Sequence, residues 1–178
     1  MAQQLDIQTL IWLFPIVFIF HDFEEIIMLE RWVAKNSSTV SKVLPARMAE
    51  RVLKQFSLTT AQMSVAVLIV FLFVSSSTFM ASQYLKGGPA ASIQFFTVLI
   101  LVFFIHVFTH IGQSILFRSI TPGVITSVLL VLPYSFVMLN TLLEREIINW
   151  DIILTCLPYV LLAIPVVVMA HSIGKRVT

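Results

Sequence analysis

The run Phe18-Ile-Phe-His21-Asp22-Phe-Glu24-Glu25-Ile-Ile-Met28 sets one histidine and three acids inside an apolar segment. Followed outward, that segment reaches from about Thr9 to Leu29, close to the roughly 20 residues a helix needs to cross the hydrocarbon core. The whole chain is of the same kind. Of its 178 residues 58% are hydrophobic and 11% charged, against roughly 25% charged in a soluble domain. Four further apolar stretches follow, at about Ala61–Tyr84, Ala91–Phe117, Pro122–Leu143 and Asp151–His171. The expected fold is an all-α integral membrane protein, one domain over residues 1–178, built as a bundle of five transmembrane helices.

The first basic residue is Arg31, and acids instead of a small-residue cleavage site follow the first apolar run. The first helix is therefore expected to stay in the mature protein. Basic residues collect on the cytoplasmic side of membrane proteins. An outside N-terminus and a cytoplasmic C-terminus put Arg31, Lys35, Lys42, Arg47, Arg51, Lys54, Arg118, Lys175 and Arg176 inside, and leave Lys86 and Arg145 outside. Within the first loop, Pro45–Leu58 places Met48, Val52, Leu53 and Phe56 on one helical face. That pattern predicts a cytoplasmic interfacial helix among anionic membrane lipids. Lys86-Gly-Gly-Pro reads as a turn, and Thr121-Pro122-Gly123 as a cap with a first-turn proline for the fourth span. Pro15, Pro133, Pro158 and Pro165 predict kinks within spans. The single Cys156 excludes an intramolecular disulfide. No Ser/His/Asp arrangement, phosphate loop or nucleotide fingerprint is present, and nothing suggests a nucleic-acid partner.

Residues three and four apart share a helix face, so His21, Glu24 and Glu25 converge and Asp22 flanks them. His106 and His110 repeat the spacing in the third span. At the helical rise, His21 lies roughly 18 Å in from Thr9 and His106 roughly 22 Å in from Ala91, and with both spans running inward the two sets meet at similar depth. An ionised carboxylate inside a bilayer costs at least ~2.5 kcal/mol. Arg31 and Arg118 lie beyond the cluster, so the compensation must come from a divalent metal or from protons. Imidazole and carboxylate suit zinc, iron or manganese. His21, Glu24, Glu25, His106 and His110 are the candidate ligands, for one ion or two, with Glu25 or Glu24 alternatively acting as base toward a bound water. Haem is the weaker cofactor reading, because acids stand beside the histidines.

His21-x-x-Glu24-Glu25, then His106-x-x-x-His110, then Arg118-Ser-Ile-Thr-Pro122-Gly123 resemble the family of small bacterial membrane proteins named for its HxxEE motif. The resemblance runs from the first span to the start of the fourth. It implies a multi-span protein of the bacterial cytoplasmic membrane suspected of metal-dependent enzymatic activity, with no substrate class.

Three weaker candidates for substrate binding, Arg118, Gln113 and Asp22, surround the cluster. Arg118, near a helix start on the cytoplasmic side, suits a phosphate or carboxylate headgroup. Gln113 continues the histidine face by one turn as an outer partner, as Asp22 does on the first helix. His171, at the end of the last span, reads as interfacial. The function expected is a membrane hydrolase acting on a lipid-like or amphipathic substrate through the His/Glu site. The rivals are a cation or proton carrier using the same groups and a non-catalytic membrane partner protein. A carrier needs polar residues toward both faces, and Ile11–Phe20 and Phe95–Ile105 nearly lack them.

Overall fold

The computed structural model describes residues 6–177. Six helices follow in order: α1 (Ile7–Val43), α2 (Ala46–Phe56), α3 (Thr60–Lys86), α4 (Ile93–Phe117), α5 (Val124–Glu144) and α6 (Trp150–Val177). Their ends are set by local chemistry. Asp6 caps α1 through Thr9 N–H at 3.2 Å, and Pro45 ends it, because the residue before a proline is pushed out of the helical region. Thr59 and Gln62 form a reciprocal capping box on α3, and Gly87 closes that helix with a left-handed φ of 64°. α5 contains a π-helical stretch, Ser127–Val131, just before Pro133. α6 tightens to a 3-10 helix over Leu157–Leu162, around Pro158.

The expected helical bundle is observed, and α3, α4, α5 and α6 are each long and apolar enough to cross a membrane. α1 is not among those four. It runs unbroken for 37 residues, roughly 55 Å at the helical rise. What reads in sequence as the start of a loop is thus helical continuation as far as Val43.

The segment expected to be interfacial is helical, as α2. Its inward face is turned one residue from the expected one: Ala49 is buried, Val52 and Leu53 pack with it against Val40, Trp32 and Phe117, and Met48 is exposed. The small Ala49 allows the close approach to α1.

The core lies between α1, α3, α4 and α5. Phe14 meets Phe96 and Phe103 edge to face, with ring centroids at 5.5 and 5.4 Å, and stacks on Tyr134 at 6.1 Å. Tyr134 donates to the Leu10 carbonyl at 3.0 Å, one residue before the Ile11 carbonyl that Pro15 deprives of its helical donor. α6 lies against α3, where Gly174 sits on the Gln62 carbonyl with no room for a side chain.

One end of the bundle gathers the basic segments. Trp32 donates to Ser119 Oγ at 3.1 Å, tying α1 to the α4–α5 connection, and Lys175 Nζ donates to the Lys54 carbonyl at 2.5 Å. Glu30 accepts from the backbone and hydroxyl of Thr60, both at 2.8 Å. His171 is buried there, bonded through Nδ1 to Gln55 at 2.9 Å and set edge-on to Phe56.

Candidate metal centre

Helical spacing places His21 and Glu25 one above the other on α1, and His106 and His110 likewise on α4. The packing of these helices around Phe103 and Phe18 turns the two pairs toward each other. His21, Glu25, His106 and His110 each present one ligand atom, and those four atoms lie within 4.8 Å of one another. Glu25 Oε1 is 2.9 Å from His110 Nε2, 3.5 Å from His106 Nε2 and 3.7 Å from His21 Nε2. The two histidine nitrogens of α4 are 2.7 Å apart.

These separations bracket the edge of a tetrahedron about 3.3 Å long, which follows from metal–nitrogen bonds of about 2.05 Å. The donor set, three neutral imidazoles and one carboxylate, suits zinc, iron or manganese. Among the described residues, the basic side chains close to the Glu25 carboxylate are all histidines. His21 Nε2 is buried without a hydrogen-bond partner, as is His110 Nδ1. A buried nitrogen facing three other donor atoms with no bond of its own is a position that a cation satisfies.

His21 and His110 are enclosed, whereas the His106 side chain is 40% exposed. The cluster therefore opens along one flank, past His106. The α4 surface beside it carries the exposed Ile105, Phe108 and Thr109.

Glu24 does not join the four. It points to the start of α5, where its carboxylate accepts from the backbone of Ile125 at 3.2 Å, the backbone of Thr126 at 2.7 Å and the Thr126 hydroxyl at 2.5 Å. The reason is a helix end. α5 has no side-chain cap of its own, and its free N–H groups attract an anion. The cap expected from Thr121 is not made either, since the helix begins at Val124. Thr121 is drawn inward instead, 2.6 Å from Ser114 Oγ and bonded at 3.4 Å to the His110 carbonyl.

Asp22 is buried beside the cluster, outside the group of four, with Oδ2 unpartnered. Gln113 is half-buried one turn beyond His110, and it makes none of the cluster's hydrogen bonds described above. Arg118 ends α4 in a left-handed conformation (φ 49°) with its side chain exposed.

Two residues of the site escaped the sequence reading. Gly123, at φ 82°, lays its backbone on the cluster: a Cβ there would stand 2.6 Å from His110 Cε1, 2.9 Å from His21 Cε1 and 3.0 Å from Glu25 Cγ. Thr126 Oγ1 lies 3.0 Å from His21 Nδ1. Gly123 was visible only as a turn residue and as the end of the motif stretch that begins at Arg118, and Thr126 carried no signal of its own.

The fold and this site define a class: an all-helical protein, apolar enough to span a membrane, with a three-histidine, one-glutamate cluster shared by two helices. The family model described as a protein of unknown function with HXXEE motif matches residues 12–138, and the chain belongs to that family. The match takes in both halves of the cluster together with Gly123 and Thr126. No curated protein and no solved structure matches the chain.

Proposed function

We propose that the protein is a metal-dependent membrane hydrolase acting on lipid-like, amphipathic substrates. The observation that carries this reading is the convergence of three histidine nitrogens and Glu25 Oε1 within 4.8 Å of one another. His21, His106 and His110 would hold one divalent ion, zinc first among the candidates, leaving the fourth position to water with Glu25 beside it as the base. Bound there, the ion supplies Lewis acidity toward a water and a substrate carbonyl or phosphoryl oxygen. Glu25, 2.9 Å from His110 Nε2, takes the proton of the attacking water and returns it to the leaving group.

In this reading α1 is a fifth span over its apolar first half, with the N-terminus outside and the C-terminus in the cytoplasm of a bacterial cell. The gathering of α2, Lys175 and the α4–α5 connection at one end of the bundle supports that orientation. The flank open past His106 faces lipid, so a substrate enters from the bilayer. Arg118 and Gln113, on the side of the cluster nearer the basic end, receive its anionic headgroup.

A carrier function is disfavoured by what lies on the other side. Between the cluster and the far end of the bundle stand Phe14, Phe18, Phe96 and Phe103, all buried, an apolar block on that side.

The test is hydrolysis by zinc-loaded protein in vesicles of bacterial lipids and in mixed micelles with ester and phosphoester lipids, run in 18O-labelled water. The reading predicts 18O in one product and a rate about 10²–10⁴-fold lower in Glu25→Gln, the usual worth of a general base. Turnover undiminished in Glu25→Gln, or no label in any product, would overturn it.

A further inference from the structure

Glu24, the second acid of the motif, is spent neither as a ligand nor on solvent. Its Oε2 accepts from the Thr126 hydroxyl at 2.5 Å and from the Thr126 backbone at 2.7 Å, while Oε1 accepts from Ile125 N–H at 3.2 Å. A threonine hydroxyl has one proton and two lone pairs. The carboxylate takes that proton, because a charge-assisted bond at this distance outweighs the alternative to the Gly123 carbonyl at 3.4 Å. The same oxygen lies 3.0 Å from His21 Nδ1. With its proton committed, it can meet that nitrogen only as an acceptor.

We infer that Glu24 and Thr126 are positioning residues that hold His21 as its Nδ1–H tautomer. The order of donation is fixed from end to end: His21 Nδ1–H to Thr126 Oγ1, then Thr126 O–H to Glu24 Oε2. Its consequence falls on the other ring nitrogen. Nε2 keeps a bare lone pair, buried, without a hydrogen-bond partner, and facing Glu25 Oε1 at 3.7 Å. The opposite tautomer would aim an N–H into the centre of the cluster and present Nδ1, as an acceptor, to a hydroxyl with no proton left to give.

The arrangement explains why the motif needs two adjacent acids. One hundred degrees apart on α1, Glu25 faces α4 and Glu24 faces the start of α5. It also couples the site to a helix end: the N–H groups that fix the Glu24 carboxylate belong to the first turn of α5, the element whose Gly123 presses on the cluster. A carboxylate one hydroxyl removed from a ligating imidazole raises its basicity and locks its ring.

This inference rests on the proposed metal site for its purpose, but its test separates the two. Full-length protein labelled with 15N at histidine ring nitrogens is compared, metal-free, as wild type, Thr126→Val and Thr126→Ser, with His21→Ala to assign the signals. Thr126→Val removes the hydroxyl and leaves the Thr126 backbone bond to Glu24, so the start of α5 remains capped. Wild type and Thr126→Ser are expected to show a protonated Nδ1 and a bare Nε2 at His21. Thr126→Val is expected to show a mixture, and to bind cobalt(II) about 10–100-fold more weakly in a chelator competition, the usual effect of losing such an outer partner. Identical His21 ring signals and identical cobalt affinity in wild type and Thr126→Val would overturn the inference. If the ring signals change as expected but wild type binds no cobalt, the tautomer assignment stands and the proposed hydrolase fails.

Discussion

Replacing Gly123 with alanine tests how closely the backbone is fitted to the cluster. Two costs add. A left-handed φ of 82° costs an L-residue about 1–2 kcal/mol. The new Cβ would also stand 2.6, 2.9 and 3.0 Å from His110 Cε1, His21 Cε1 and Glu25 Cγ, closer than carbon atoms rest, and overpacking of that kind costs about 1–3 kcal/mol. The sum is about 2–5 kcal/mol, relieved in part by moving the imidazoles. Gly87 provides the control, because its φ is 64° and a Cβ there would meet nothing within 4 Å. Gly87→Ala should lose only the backbone share, about 1–2 kcal/mol, and leave metal binding unchanged. Unfolding of both variants in a mixed-micelle SDS titration, with cobalt affinity measured on each, separates the terms. Gly123→Ala should be the less stable by about 1–3 kcal/mol and the weaker binder. Equal stability and equal affinity in the two would refute the claim that the α5 start is built against the metal ligands.

Other expectations follow from the packing. Phe14→Ala, at the centre of the aromatic core, should cost about 3–5 kcal/mol by the same titration. Tyr134→Phe keeps the ring stack and loses the bond to the Leu10 carbonyl, a change of about 0.6–1.7 kcal/mol for a hydrogen bond between membrane helices. Thr60, through its backbone and then its hydroxyl, holds the Glu30 carboxyl below its ordinary value of 4.5. That depressed value adds stability above about pH 4.5, lost as pH falls through the lower folded value. Wild type should therefore exceed Glu30→Gln in stability at neutral pH and converge with it in acid.

Much of the site was legible because helical periodicity is strict. His21 with Glu25, and His106 with His110, could only face one way each, and the cost that unpaired acids would carry in a bilayer pointed to pairing the two sets. A helix end was readable where glycine acts locally, as at Lys86-Gly87, whereas the first span was expected to stop at Leu29 and α1 runs on to Val43. The losses have a common cause, which is that partners came from elsewhere in the chain. Glu24 looked like a ligand because it shares a face with His21, yet the open N–H groups of Ile125 and Thr126 claimed it. Thr121 looked like a cap and was pulled toward Ser114. The turn of α2 about its axis, burying Ala49 in place of Met48, was decided by how near α1 lies, which periodicity does not encode. Gly123 matters for what it lacks, and only the approach of two imidazoles reveals it.

The central claim is that α1 and α4 share one metal ion. Elemental analysis of the detergent-purified protein, as isolated and after reloading, with folded His21→Ala, His110→Ala, Glu25→Ala and Glu24→Gln variants alongside, tests it directly. The account predicts about one zinc, iron or manganese per chain in the wild type, loss of the ion in both histidine variants, one on each helix, and retention in Glu24→Gln at reduced affinity. A wild type that takes up no metal even after reloading, or an ion that survives removal of either histidine, would contradict it.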